Sequence, residues 1–89
     1  MHTLTLYTKP GCHLCEAVEA VIARVAKRRP IQLVVVNILD HPADFERYQF
    51  AIPVVSVDGC EIARYRLTVE SLDAALDRIE AQNEKDRSP

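Results

Sequence analysis

The chain has 89 residues, of which 48% are hydrophobic and 27% are charged, and its formal net charge is −2. This composition excludes a disordered chain, and the weak negative charge excludes binding to nucleic acid by electrostatic attraction. No apolar stretch approaches the roughly 20 residues of a membrane-spanning helix, so we expect no membrane partner. We predict one domain over residues 1–82 and a polar C-terminal tail over residues 83–89.

The first half of the sequence predicts a strand, a helix and a second strand. Residues 3–8 alternate between apolar and polar side chains, and a helix follows from about residue 12 or 13 to Arg28. The apolar residues of this helix share one face: Leu14, Val18, Val21, Ile22 and Val25. The basic run Lys27-Arg28-Arg29 is interpreted as a solvated helix end. Residues 31–38 are mainly aliphatic, with three consecutive valines, which predicts a parallel strand covered on both faces.

The second half predicts a short helix and a hairpin. The helix has Pro42 in its first turn and ends near Tyr48. Two short apolar strands, residues 53–57 and 61–65, flank the turn Asp58-Gly59, which is a strong hairpin signal. We expect the strands of this hairpin to run antiparallel to the first pair.

A last helix is predicted to begin after Thr68, whose hydroxyl suits the N-cap position. Its apolar face consists of five residues at helical spacing: Val69, Leu72, Ala75, Leu76 and Ile79. From about Gln82 onward the sequence is polar, and we expect it to fray. The element order is therefore βαβαββα, an α/β domain with one four-stranded mixed sheet flanked by helices.

Cys12 and Cys15 lie directly after the first strand, at the start of a helix. Unpaired N–H groups and the helix dipole favour a thiolate at Cys12, and Cys15 follows one turn later. We therefore predict that Cys12 attacks a disulfide and that Cys15 resolves the resulting mixed disulfide. Lys9 and His13 would lower the pKa of Cys12 further, although His13 is equally interpretable as an exposed residue.

The cysteine count bears on compartment and on metal binding. There are three cysteines, and residues 3–8 enter a strand pattern at once without a signal peptide, so we expect a reducing cytoplasm. A CxxC pair can also be accidental or half of a zinc site, but only His13 and Cys60 are candidates for further ligands. Cys60 is interpreted as a small strand residue, with glutathionylation or an intermolecular disulfide as the alternative.

Residues 6–15 resemble the glutaredoxin family of the thioredoxin superfamily, in which a strand precedes Lys-Pro-x-Cys-x-x-Cys. A second match is Ile52-Pro53, followed by a strand and the turn Asp58-Gly59. The resemblance covers residues 3 to about 80, and the small bacterial glutaredoxin-like proteins with a CxxC are the most similar. It implies a thioredoxin-type fold and a thiol–disulfide oxidoreductase that acts in cell redox homeostasis.

The resemblance also implies how a substrate is held. Pro53 would be a cis proline that lies against Cys12 and leaves the backbone of Ile52 free to pair with the substrate backbone. The substrate-binding residues that the family's motifs imply are Lys9, Pro10, His13, Ile52 and Pro53. The substrate would be a protein disulfide or a low-molecular-weight disulfide, and we expect the protein to be a monomer.

Two departures from the family concern glutathione. Glutaredoxins that bind it carry two glycines and then an acidic residue before the last helix, whereas residues 63–68 contain no glycine and include Arg64 and Arg66. The position before Ile52, usually threonine, is Ala51. We expect no bound cofactor and a poor fit to glutathione as co-substrate. The two arginines either favour an acidic substrate or belong to an exposed strand face.

Two other functions are compatible with the same motifs. Some glutaredoxins carry an iron–sulfur cluster between two subunits, held by the first cysteine and glutathione, and the weak glutathione site argues against this function here. The second alternative is a thioredoxin-fold interaction module whose redox activity is incidental.

Overall fold

The computed structural model describes the backbone of residues 1–87 and the side chains of residues 1–82. Within this part of the chain, four strands form one sheet and three α-helices cover it, which confirms the predicted α/β arrangement. The elements are β1 His2–Thr8, α1 His13–Ala26, β2 Ile31–Asn37, α2 Pro42–Tyr48, β3 Val54–Val57, β4 Cys60–Arg64 and α3 Val69–Arg87, with a 3-10 turn at Ile38–Asp40 before α2. None of the described helices is long and apolar enough to cross a membrane.

The sheet has the strand order β2-β1-β3-β4. Strands β1 and β2 are parallel because α1 carries the chain back between them, and β3 runs antiparallel to β1 with Val55 opposite Leu6. Strand β4 is antiparallel to β3 and therefore parallel to the first pair. The expectation that both hairpin strands oppose the first pair is wrong for β4, because a hairpin reverses the chain direction a second time.

Strand β2 lies at the edge of the sheet, and Val34 and Val35 are exposed. The prediction that its aliphatic run is covered on both faces is therefore wrong. Ile31 and Leu33 are partly buried against the main core, whereas one edge of the strand has no neighbouring strand. A continuous apolar run does not itself distinguish a central strand from an edge strand, because neighbours in the sheet are set by the rest of the fold.

The main core lies between the sheet and helices α1 and α3. Its buried residues come from both helices, from β1 and β3, and from the loop before α3: Leu4, Leu6, Val18, Ile22, Val25, Val55, Val57, Leu67, Leu72 and Leu76. Leu14 shares the helical spacing of this face but is 49% exposed. Periodicity fixes the side of a helix on which a residue lies, whereas it does not fix what stands opposite that residue.

Helix α2 packs on the opposite face of the sheet. Tyr48, Ala51 and Val54 form a smaller buried cluster there, with Tyr7 and Ile52 packed against it. The rings of Tyr7 and Tyr48 have centroids 4.7 Å apart. The main core and this cluster anchor the ends of β1 and β3 from both faces, which fixes the segment before β3.

The hairpin turn and the start of α3 follow local sequence signals. Asp58 and Gly59 both have positive φ, +49° and +86°, as a two-residue primed turn requires. The Oγ of Thr68 accepts a hydrogen bond from the N–H of Ser71 at 3.0 Å, which confirms the predicted cap. Helix α3 continues to Arg87, beyond the predicted end near Gln82, and residues 88 and 89 lie outside the described residues.

The prediction of a solvated helix end holds for Lys27 and Arg28, which are exposed, and is wrong for Arg29. Arg28 pairs with Asp73 at 3.0 Å. Arg29 is largely buried and reaches Asp73, Asp77 and Glu80 on α3 at 3.4, 3.0 and 3.1 Å. The pattern of basic residues alone gave no indication of these partners, because the carboxylates lie more than forty residues later in the sequence.

His2 joins the N-terminus to the hairpin and to α3, a contact that the sequence did not reveal. Its Nδ1 lies 2.7 Å from the Asp58 carboxylate and its Nε2 lies 2.9 Å from the Glu80 carboxylate. The hydrogen bonds to Asp58 and Glu80 raise the pKa of His2. In return, the bond to His2 lowers the pKa of Asp58 and of Glu80.

This contact predicts a pH-dependent contribution to stability. Because folding raises the pKa of His2, its contribution is complete below about pH 6.5, the ordinary value for histidine, and is lost as the pH rises through the folded value. His2→Gln should therefore lower the free energy of unfolding more at about pH 5.5 than at about pH 9. Urea unfolding at both pH values measures this, with the exposed His41→Gln as matched control. An equal loss at both pH values would contradict the assignment.

Candidate active site

The two cysteines of the CxxC lie where β1 ends and α1 begins. Gly11, with φ of +79°, turns the chain so that Cys12 takes the N-cap position of α1. The Sγ of Cys12 accepts a hydrogen bond from the N–H of Cys15 at 3.1 Å. A disulfide joins Cys12 and Cys15, whose Cα atoms are 5.3 Å apart.

The two sulfurs have different surroundings. Cys12 is partly exposed, whereas Cys15 is only 3% exposed and belongs to the buried face of α1. Cys12 also lies at the end of the helix where unpaired N–H groups and the helix dipole favour negative charge. In the reduced protein, the accessible sulfur is therefore also the sulfur whose thiolate the helix stabilises.

The segment before β3 lies at the same end of the sheet as these cysteines. Tyr7, near the end of β1, pairs with Val54, so Ile52 and Pro53 precede β3 at the edge where β1 leads into the CxxC loop. The bond between Ile52 and Pro53 is cis, as the resemblance implied. In the part of the chain that the structure describes, neither the N–H nor the C=O of Ile52 forms a hydrogen bond.

The other candidate residues near the cysteines are exposed. Lys9 and Pro10 lie on the surface of the loop between β1 and α1. The side chain of His13 is 95% exposed, and its Nδ1 lies 3.8 Å from a carboxylate oxygen of Glu16. Because both side chains are largely exposed, solvent screens this contact and it contributes little.

A groove of about 360 Å³ runs beside the CxxC, between α1 and the loop before α3. Leu14, Ala17 and Val18 line one side, and residues 65–68 line the other. Leu14 stands between the two cysteines in sequence, so the groove begins next to the disulfide. The exposure of Leu14 is explained by this groove, which no helical periodicity could indicate.

Tyr65 is a site residue that the sequence reasoning missed. It lines the groove and has a φ of +69°, in the left-handed region that side chains seldom adopt. The available signal was its position, since it stands in the stretch where the family usually carries glycines. The backbone adopts a positive φ here although no glycine is present.

Two other candidates are not available for chemistry at the CxxC. The Nε of Arg64 donates to Glu61 at 2.6 Å, so this arginine is held on its own strand. Cys60 is an exposed free cysteine opposite Val57, which pairs with Leu4 and thus lies at the far end of the sheet from Cys12. Among the described residues, no group of three or more His, Cys, Asp or Glu side chains could hold a metal ion.

The fold is similar to the folds of several proteins of known structure. Protein Ne2328 from Nitrosomonas europaea is 28% identical, with a TM-score of 0.73 over 83% of this chain and 89% of that one. A structural genomics target protein from X. campestris is 30% identical, with a TM-score of 0.70 over 84% of this chain and 96% of that one.

A more distant likeness concerns the fold alone. Thioredoxin 1 from Thermosipho africanus is 18% identical, with a TM-score of 0.58 over 88% of this chain and 98% of that one. This neighbour shows that the four-stranded sheet and its helices form a thioredoxin-type fold. The glutaredoxin-like domain family (DUF836) matches residues 3–77, which include the CxxC, the segment before β3 and the loop before α3. The chain therefore belongs to the glutaredoxin-like domain family.

Proposed function

We propose that this protein is a thiol–disulfide oxidoreductase that works through Cys12 and Cys15. The observation that carries the proposal is the placement of the pair: one sulfur caps α1 at the surface, and the other lies one turn deeper within disulfide distance. This is the geometry that an attacking and a resolving thiol need. Membership of a glutaredoxin-like family supports redox chemistry of this type.

The reaction would proceed in two exchanges. The Cys12 thiolate attacks one sulfur of a substrate disulfide, forms a mixed disulfide and releases the other substrate sulfur as a thiolate, which takes up a proton. Cys15 then loses its proton and attacks the Cys12 sulfur, which releases the second substrate thiolate and closes the Cys12–Cys15 disulfide. Two electrons pass from the protein to the substrate, and a thiol donor returns them by the reverse exchange.

The segment before β3 would hold the substrate during the first exchange. The backbone N–H and C=O of Ile52 have no partner among the described residues, so an extended substrate backbone could satisfy both. Pro53 is buried and fixes that segment against the sheet. Lys9, Pro10 and His13 lie exposed around the Cys12 loop, where they would contact a substrate rather than the core.

The chemistry needs no bound cofactor, because both electrons reside in the dithiol. A protein disulfide or a small disulfide would be the substrate, and a monomer would suffice because both cysteines lie on one chain. The reducing cytoplasm suits this cycle, since its thiol systems can restore the dithiol form.

The proposal predicts a trapped intermediate. Cys15→Ser should accumulate mixed disulfides between Cys12 and its substrates, because the second exchange is removed while the first is kept. Cys12→Ser should trap nothing and should lose disulfide reduction by a factor of at least about 100. Non-reducing gels and mass spectrometry of the linked peptides measure both effects.

Cys60→Ser is the matched control for that experiment, since Cys60 lies at the far end of the sheet. It should leave both trapping and reduction unchanged. If Cys15→Ser forms no mixed disulfide through Cys12, or if Cys60→Ser removes the activity, the proposed function is contradicted.

The site also predicts weak use of glutathione. Arg64 is held by Glu61, and Arg66 has the wrong charge for the ammonium end of the tripeptide. Ordering a small flexible ligand is costly, so we expect weak binding of glutathione. The turnover of a glutathione mixed disulfide should therefore rise almost linearly with substrate concentration, without saturation. Steady-state kinetics should show better exchange with a dithiol or a protein partner.

Arg66→Asp provides the matched control for the glutathione measurement. It supplies a carboxylate in the loop where the family carries an acidic residue, so it should lower KM for the glutathione mixed disulfide. If turnover of the glutathione mixed disulfide by the unaltered protein saturates with a low KM, the protein is instead an ordinary glutathione-dependent glutaredoxin.

A further inference from the structure

Tyr65 occupies a backbone conformation that needs an explanation. Its φ is +69°, and the N–H of Arg66 donates to the C=O of Arg64 at 2.8 Å, which closes a three-residue γ-turn around Tyr65. With a positive φ at its centre, this is the rare and strained form of the turn. Strained residues that are not glycine persist where their surroundings hold them, and they concentrate at functional sites.

Two hydrogen bonds hold Tyr65 in this conformation. Its N–H donates to the C=O of Pro53 at 2.8 Å, and its hydroxyl donates to the C=O of Phe50 at 3.0 Å. Both acceptors belong to the segment that carries Ile52, the proposed substrate-docking backbone. The side chain of Tyr65 is nevertheless left substantially uncovered, since the residue is 48% exposed. Hydrogen bonds, and not burial of the ring, therefore hold this conformation and leave the side chain accessible to a partner molecule.

Tyr65 lines one side of the groove beside the CxxC, together with residues 66–68. Leu14, Ala17 and Val18 of α1 form the other wall, and all three side chains are apolar. At about 360 Å³, the groove accommodates an apolar side chain together with part of its backbone. A polypeptide that is joined to Cys12 and aligned along Ile52 would pass the opening of this groove.

We propose that Tyr65 is a specificity-determining residue, which selects protein disulfides that carry an apolar side chain close to the reactive cysteine. The proposal rests on the proposed function, because the groove matters only when a substrate is bound at Cys12. The apolar side chain would lie between the ring of Tyr65 and Leu14. Glutathione carries no apolar side chain, so it could not fill this groove.

The charge at the rim narrows the substrate class further. Arg66 lines the groove, is exposed and forms no ion pair with any residue whose side chain the structure describes, whereas the neighbouring Arg64 is paired with Glu61. An unpaired guanidinium attracts a carboxylate. The substrate that complements the groove is therefore a polypeptide in which an acidic residue adjoins the apolar one.

The test uses peptides with a single cysteine, each as a mixed disulfide with 2-mercaptoethanol. One leucine is placed in turn at each of the two positions before and the two positions after the cysteine, and serine fills the remaining positions. The rate at which the dithiol protein reduces each peptide is then measured. At one position leucine should raise kcat/KM by about tenfold through a lower KM, since a hydrophobic pocket contributes to binding. Placing aspartate rather than lysine beside this leucine should raise kcat/KM further.

Variants of Tyr65 and Arg66 show whether the groove causes these preferences among the peptides. Tyr65→Asn keeps a residue that tolerates positive φ but removes the ring, so the advantage of leucine should fall below about twofold. Tyr65→Phe removes only the hydroxyl and should retain the advantage. Arg66→Asp should reverse the preference for aspartate over lysine. Thermal unfolding of each variant checks that the fold is retained.

The outcomes separate this inference from the proposed function. Equal reduction of all peptides, or an advantage of leucine that persists in Tyr65→Asn, would overturn the role of Tyr65 while leaving the oxidoreductase in place. A protein that reduces none of the peptides would overturn the proposed function, and with it the inference.

Discussion

The hydrogen bond from the N–H of Cys15 to the Sγ of Cys12 organises the CxxC of this protein. It exists because β1 ends just before a turn at Gly11, which places Cys12 at the N-cap of α1. One sulfur thereby meets unpaired helix donors and solvent, while the other is buried one turn later. A single junction between a strand and a helix thus provides both roles of the proposed reaction.

The two ends of the sheet serve different purposes. At one end, His2 pairs with Asp58 of the hairpin and with Glu80 of α3, and Arg29, which follows α1, also pairs with Glu80. These contacts stabilise the fold, and they lie away from the CxxC. At the other end, the backbone N–H and C=O of Ile52 have no partner among the described residues, and the strained Tyr65 is half-exposed. In the proposed function this end holds the substrate, so the end that stabilises the fold is separate from the end that carries strain and unpaired groups.

The sequence predicted the features that depend on neighbouring residues. The turn Asp58-Gly59, the starts of the helices and the position of the CxxC all follow from local signals. The sequence-based predictions were wrong where contacts with distant residues determine the structure. Strand β2 lies at the edge of the sheet, Arg29 pairs with carboxylates of α3, and Leu14 lines a groove instead of the core. Tyr65 was missed for a related reason, because its strained backbone is held by two carbonyl groups of another segment.

The central claim is that the start of α1 makes Cys12 the attacking thiol, and alkylation of the fully reduced protein tests it most directly. The helix should hold the pKa of Cys12 below the value of about 8.5 for a free cysteine. Alkylation rates of each cysteine against pH, read by mass spectrometry, should show Cys12 reacting fastest at about pH 6. Faster reaction of Cys15 or Cys60 at that pH would contradict the account.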